Sequence, residues 1–190
     1  MSELSAVQRP EASAPAAVGA LTIKVCAGTG CVASGSLKVA EAFRQALASQ
    51  PGLDVEVEAS PCLEGVGVGI TGCHGFCAEG PLIKIPELGL MYCRVGAKDV
   101  AEIVATTLGR REAVERLLFR DPQDGRVCRG EEDIPFFAKQ MRTALLRCGE
   151  VDPEDIGDYL RRGGYVSLHR VLRDITPEQV IDEIKRSGLR

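Results

Sequence analysis

The sequence predicts an α/β fold, a small mixed sheet with helices packed on it, followed by a short and mostly helical segment. Three observations predict it. Short apolar runs are bounded by glycine and proline, longer stretches repeat apolar residues at helical spacing, and together they give the order strand, helix, strand, strand, strand, helix. Leu21 to Val25 reads as a strand that ends directly in Cys26. After a glycine-rich turn, Leu37, Ala40, Phe43, Ala46 and Leu47 recur at helical spacing, and Gln50-Pro51-Gly52 stops that helix. Val55 and Val57 alternate with Glu56 and Glu58 as a half-exposed strand, and Gly65 to Gly80 reads as a glycine-dense loop. Pro81 to Ile85 and Leu88 to Val95 form a predicted hairpin turning at Pro86-Glu87 with Gly89. Lys98 to Leu108 carries Val100, Ile103, Val104 and Leu108 on one helical face and is stopped by Gly109.

Such an order suits thioredoxin-like domains. Beyond it, Arg111 to Phe119 is predicted as a short helix before an Asp121-Pro122-Gln123-Asp124-Gly125 turn. Ile134 to Leu146 runs into Arg147-Cys148-Gly149. Three further helix starts follow, at Asp152 before Pro153, near Tyr165 to Leu172, and at Thr176-Pro177-Glu178-Gln179, where a Thr cap, a first-turn proline and a capping-box Gln coincide and Gly188 closes the helix. The expected division is a flexible tail over 1–20, a domain over 21–109 and a helical region over 110–190.

With 190 residues, 45% apolar and 26% charged, the chain is long enough for a real core and typical of a soluble protein. A net charge of −4, with Arg110-Arg111 set among acidic residues, argues against nucleic acid as a partner. Residues 1–20 contain Glu3, Arg9 and Glu11 and lack the apolar stretch of a signal peptide, and no run is long enough to insert in a membrane. A cytoplasmic protein is expected. Eight cysteines, about 4% of residues, are too few for a secreted disulfide scaffold, and in a reducing compartment clustered cysteines more often hold metal or do redox chemistry.

Four residues separate Cys26 from Cys31 and three separate Cys73 from Cys77, each pair in a loop after a predicted strand or beside one. Iron-sulfur clusters need four converging thiolates, and Gly28, Gly30, Gly72 and Gly75 let backbone amides approach the sulfurs and stabilise cluster charge. Neither pair has the C-x2-C spacing of a zinc ribbon or of thiol-disulfide exchange, so structural zinc and redox exchange compete weakly, as do four inert buried thiols. Gly67-Val68-Gly69-Ile70-Thr71-Gly72 matches a dinucleotide fingerprint but precedes a cysteine loop and a hairpin, not a helix. A Rieske site would have to pair His74 with the remote His169; His74 is expected to face solvent or back a ligand. Cys62 and Cys93 flank the second cysteine pair and could substitute for a ligand, but read first as buried packing thiols, as do Cys128 and Cys148; Phe136, Phe137, Tyr159 and Tyr165 read as core or interface, with Phe136-Phe137 suited to anchor a partner, and Glu131-Glu132-Asp133 as a solvated face.

Cys26-Ala27-Gly28-Thr29-Gly30-Cys31, Thr71-Gly72-Cys73-His74-Gly75-Phe76-Cys77 and Gly80-Pro81 resemble the thioredoxin-like 2Fe-2S ferredoxin domain of NADH dehydrogenase and of related hydrogenase and formate dehydrogenase subunits. Glu132 to Phe137, Leu146 to Gly149, Asp152-Pro153-Glu154, Gly163-Gly164-Tyr165 and Asp174 to Arg190 are similar to the stretch that opens the flavoprotein subunit in longer fused members. The resemblance implies a 2Fe-2S cluster on Cys26, Cys31, Cys73 and Cys77, a ferredoxin domain over 21–109, and a helical linker with the start of a flavoprotein region over 110–190. The flavin loop, the NADH site and a further 4Fe-4S cluster of the family lie past the point matching Arg190. The expectation is therefore an electron-transfer module, a fragment or one half of a split subunit, with flavoprotein and other iron-sulfur subunits as partners and room for a homodimer. All-cysteine ligation sets the expected potential toward roughly −400 mV. The competing expectation is a zinc-bound or metal-free docking module.

Overall fold

The computed structural model describes residues 21–49 and 66–189. The expected tail over 1–20, the Gln50-Pro51-Gly52 stop, the Val55–Val57 strand and Cys62 lie outside them. A four-stranded mixed sheet has the order β2-β1-β3-β4, from β1 (Leu21–Cys26), β2 (Val66–Thr71), β3 (Ile83–Ile85) and β4 (Leu90–Tyr92). β1 lies parallel to β2, with Leu21 opposite Val66 and Cys26 opposite Thr71, and antiparallel to β3. β3 and β4 form the predicted hairpin, turning through Pro86–Leu88 with Gly89 in the left-handed conformation. The glycine-dense stretch read as one loop is divided: its first part is β2, in which Val66, Val68 and Ile70 alternate with two glycines, and only the portion beyond Thr71 is loop.

Helices that pack against one another complete the first core. A short helix α1 (Thr29–Ala33) replaces the expected plain turn, and α2 (Ser36–Ala48) comes directly after it. Val39, Ala40, Phe43 and Leu47 of α2 are buried against β1, whereas Leu37 is half exposed because it falls to the side of that stripe. Burying Phe43 and Leu47 stabilises the fold by roughly 1.5–3 kcal/mol each. From the opposite end, α3 (Val100–Ile103) widens into a single π turn at Val104–Leu108 and adds Val100, Ile103, Val104 and Leu108 to the core. Gly109 does not stop this helix. It keeps helical dihedrals, and the chain turns at Arg111, where φ is +61°.

Tyr92 ties this helix to the sheet. Its buried hydroxyl lies 2.7 Å from Thr107 Oγ1 and accepts the Val114 N–H at 3.0 Å. Tyr92→Phe removes both partners from groups that stay buried, so we expect a loss of about 1–3 kcal/mol, read as a lower urea midpoint with unchanged secondary structure. An unchanged midpoint would show that water replaces the hydroxyl.

The region after Arg110 differs from its predicted helix. Glu115–Leu117 is one 3-10 turn, followed by β5 (Phe119–Arg120), which pairs with β6 (Val127–Cys128) across the predicted Asp121–Gly125 turn. Only Leu117 is fully buried within Glu115–Leu117, and Cys93 donates its N–H to the Leu117 carbonyl at 2.8 Å; pairing with the sheet edge outweighs local helical preference. A second core cluster joins Cys26, Cys31, Leu82, Met91 and Cys93 to Cys128, Ile134 and Phe137 from α4 (Pro135–Ala138) and its approach. It is thus built from both sides of residue 110.

Three helices end the described chain. α5 (Ile156–Arg161) starts on Asp155, whose carboxylate accepts the Gly157 N–H, rather than on Asp152, which caps only a local turn by accepting from Glu154 N–H. α6 (Val166–Asp174) and α7 (Pro177–Ser187) lie where predicted, and the Thr176–Gln179 capping box and the left-handed Gly188 bound α7 as expected. Among the described residues no helix is long and apolar enough to cross a membrane.

Candidate metal centre

Two parallel neighbouring strands deliver the cysteines to one end of the sheet. β1 finishes at Cys26 and β2 at Thr71, and because they run the same way in register, the chain leaves both at the same edge. The Ala27 N–H donates to the Thr71 carbonyl at 2.8 Å, which holds the two exits together. α1 then carries Cys31 one turn away from Cys26, while the second loop carries Cys73 and Cys77.

The thiols come as two pairs. Cys26 and Cys31 are buried together in the second core cluster, and Cys73 Sγ is 4.0 Å from Cys77 Sγ. Glycines bring the pairs against each other. A methyl at Gly28 would sit 2.7 Å from Cys73 Cβ and 2.8 Å from its Sγ, one at Gly30 would sit 3.2 Å from Cys77 Sγ, and one at Gly80 would sit 2.6 Å from Cys31 Sγ. The backbone N–H of Gly75, at φ +83°, points at Cys73 Sγ from 3.3 Å. Among the described residues no three His, Cys, Asp or Glu donors gather around one point.

Burial separates the pairs. Cys26 and Cys31 are enclosed in the second core with Leu82 and Met91, whereas Cys73 and Cys77 are exposed. Burial, reinforced by the neighbouring Cys26, pushes the Cys31 thiol up to about 12, and the hydrogen bond with Cys73 raises Cys77. Without a metal these are protonated thiols, and a bound metal would displace their protons. Of the other cysteines, Cys93 and Cys128 are buried, both raised chiefly by burial, Cys93 to about 12, and Cys148 is partly exposed. Cys93 and Cys128 are packing groups, as expected.

His74 does not face solvent. Its side chain is 1% exposed, neither ring nitrogen has a hydrogen-bond partner, and burial lowers its pKa to about 4. Of the Glu131-Glu132-Asp133 run, Glu132 and Asp133 are exposed as expected, but the Glu131 carboxylate is largely buried. Glu131 pairs with Lys84 at 2.9 Å and with Arg142 at 3.1 Å, and Asp133 accepts from the N–H groups of Arg129 and Gly130. Glu150, which no sequence pattern singles out, bridges Lys84, Lys24 at 3.5 Å and Arg162 at 3.5 Å. Its partners lie far off in sequence, so no local signal marks it. Phe137 is buried and Phe136 nearly half exposed. Phe76, between the two exposed cysteines, stacks on Phe136 at 5.0 Å and meets Phe119 and Phe137 edge-on. Tyr159 and Tyr165 pack edge-on at 5.0 Å, and His169 is an exposed residue of α6. In the dinucleotide-like pattern Gly67 and Gly69 lie on β2 and Gly72 just past its end, and none of them opens a helix.

The sequence is similar to known proteins. Residues 14–108 fit the family of thioredoxin-like 2Fe-2S ferredoxins. The chain is 34% identical over 87 residues to the 2Fe-2S ferredoxin of Clostridium pasteurianum, covering 46% of this chain and 76% of that one. It is 52% identical over 52 residues to the NADP-reducing hydrogenase subunit HndC of Solidesulfovibrio fructosivorans, covering 27% of this chain but 10% of that much longer protein. Among solved structures, the thioredoxin-like 2Fe-2S ferredoxin of Aquifex aeolicus aligns with a TM-score of 0.44 and 28% identity, over 52% of this chain and 89% of that one. With the family match spanning half of the sequence and three quarters of a ferredoxin relative covered, the chain belongs to the thioredoxin-like 2Fe-2S ferredoxin family.

Proposed function

We propose that Cys26, Cys31, Cys73 and Cys77 hold a 2Fe-2S cluster and that the chain relays single electrons within an NAD(P)-linked oxidoreductase complex. The observation that carries the reading is the meeting of two thiol pairs at the common end of β1 and β2. A single zinc ion wants four thiolates around one point. Two pairs set side by side suit two irons, and thiolate is the donor such clusters take. The glycines fit as well, since Gly28, Gly30 and Gly80 lie where any side chain would press on a cysteine.

When bound, the cluster supplies a one-electron couple. The chain's own residues do the rest. Leu82 and Met91 exclude water from the inner pair, the glycines let backbone come close to the sulfurs, and the exposure of Cys73 and Cys77 leaves one side open to a partner. That one relative is a subunit of an NADP-reducing hydrogenase supports a place in a complex, with flavoprotein and other iron-sulfur subunits as its partners in this reading. In this reading residues 21–109 are the cluster domain and 110–190 a helical linker opening a flavoprotein region. The seven described cysteines are all free, which accords with a cytoplasmic site.

Anaerobic purification tests the reading directly. We expect brown protein with about two irons and two sulfides per chain and a rhombic signal on reduction. Colourless protein binding one zinc would replace this reading with that of a docking module.

A further inference from the structure

The loop bearing Cys73 and Cys77 has little to hold itself in shape. It contains Gly72, Gly75 and Gly80, and its internal backbone hydrogen bonds are those closing the turn at Phe76 to Gly80. Glycine-rich backbone loses the most entropy when ordered, so a fixed geometry needs contacts from elsewhere. At the far end of the loop Arg94 supplies them, donating its N–H to the Glu79 carbonyl at 2.7 Å; around Cys73 they come from a segment that lies past the ferredoxin match at 14–108.

Besides the Phe76 ring on Phe136 and Phe137, three contacts from this segment hold the loop around Cys73. The Gly72 N–H donates to the Val151 carbonyl at 3.2 Å. The Arg142 guanidinium donates to the His74 carbonyl at 3.2 Å, while lying 4.7 Å over the Phe137 ring and pairing with Glu131. The buried His74 ring rests on Gly149, where any Cβ would overlap the imidazole, and Gly149 itself has φ +80°. The segment is in turn fastened to the sheet. Glu131 and Glu150 both pair with Lys84 of β3, and Lys24 of β1 donates to the Glu150 carbonyl at 2.6 Å.

We propose that residues 131–151 are a strap that positions the Cys73–Cys77 loop, with Arg142 and Gly149 as positioning residues, and that it thereby sets how firmly a cluster is retained. The second clause rests on the proposed ligand set. The first concerns the chain itself and is testable without metal. Force passes from β1 and β3 through two carboxylates to Arg142, Gly149 and Val151, and from these to the backbone on either side of Cys73.

The test compares full-length wild type with Arg142→Ala, Arg142→Lys, Gly149→Ala and, as a surface control, Arg173→Ala, whose guanidinium pairs with its neighbour Asp174. Hydrogen exchange across 71–80 is followed on the metal-free chains. Loss of cluster to a chelator and the spectrum of the reduced form are followed on the loaded ones. Arg142→Ala should speed loop exchange and cluster loss on the order of tenfold and shift the reduced spectrum; Arg142→Lys should recover part of the effect, and the control should match wild type. Gly149→Ala should act more strongly, and if it does not fold, the Arg142 series decides alone. Loop exchange and cluster lifetime equal to wild type in Arg142→Ala would overturn the strap. A wild-type chain that takes up no iron would remove the ligand assignment, and the exchange comparison would still decide the positioning role.

Discussion

Gly28→Ala is expected to leave the purified protein with less than about a tenth of the wild-type iron, as little as Cys73→Ser retains, although it replaces no cysteine. Gly28 has an ordinary φ of −62°, so its backbone tolerates alanine. The obstacle is contact. The added methyl would sit 2.7 Å from Cys73 Cβ and 3.1 Å from Cys73 Cα, and backbone is not a flexible tip that swings aside. Relief requires the second loop to move off the first. Overpacking of this kind costs about 1–3 kcal/mol, about ten- to a hundredfold in any equilibrium that needs the two loops together. Iron and sulfide analysis with far-ultraviolet circular dichroism reads the result. Normal iron content in Gly28→Ala would mean that the two pairs do not share one centre, and normal iron in Cys73→Ser would strike that residue from the ligands.

The second large effect is on stability. Glu150→Gln should lower unfolding free energy at neutral pH by about 2 kcal/mol, because it leaves the buried Lys24 and the largely buried Lys84 with one fewer carboxylate; the figure is kept below the usual cost of breaking a buried pair, since a third of the Glu150 side chain is in water. The pH dependence has a definite sign. Burial works to raise the Glu150 carboxyl, but Lys84, then Lys24 and Arg162, outweigh it and hold its pKa below the usual range. A carboxyl depressed in the folded state contributes stability above its unfolded pKa and loses it as pH falls through the folded one. Wild type and variant should therefore differ most at neutral pH and converge in acid. A gap that widens as the pH drops contradicts the ion-pair account. The partner Lys24 is pulled down by burial more than its carboxylate raises it, whereas Lys84, between two carboxylates, is held up against burial.

Those elements whose cause is local were legible in the sequence. β1, α2, the Ile83–Tyr92 hairpin and the capped α7 rest on alternation, helical spacing, a turn glycine and a capping box, each within a dozen residues. The cysteine spacing was legible for the same reason. β2 was hidden because Gly67 and Gly69 occupy its alternate positions, and glycine reads as loop unless a neighbouring strand supplies the pairing. The stretch Arg111 to Phe119 misled because its edge contact with the sheet is a tertiary effect. His74, Glu131 and Glu150 were misread or missed because their environments are assembled from partners distant in sequence, such as Lys84 with both carboxylates. Charge in a sequence says nothing of burial until the chain has folded around it.

The uneven enclosure of the four thiols would give the proposed centre a single doorway. With Cys26 and Cys31 sealed behind the second core and Cys73 and Cys77 open to the medium, delivery of metal, traffic with a redox partner and attack by oxidants must all use the same opening. Shielding against the last comes only by obstructing the first two, so a docked partner would guard the doorway as well as use it.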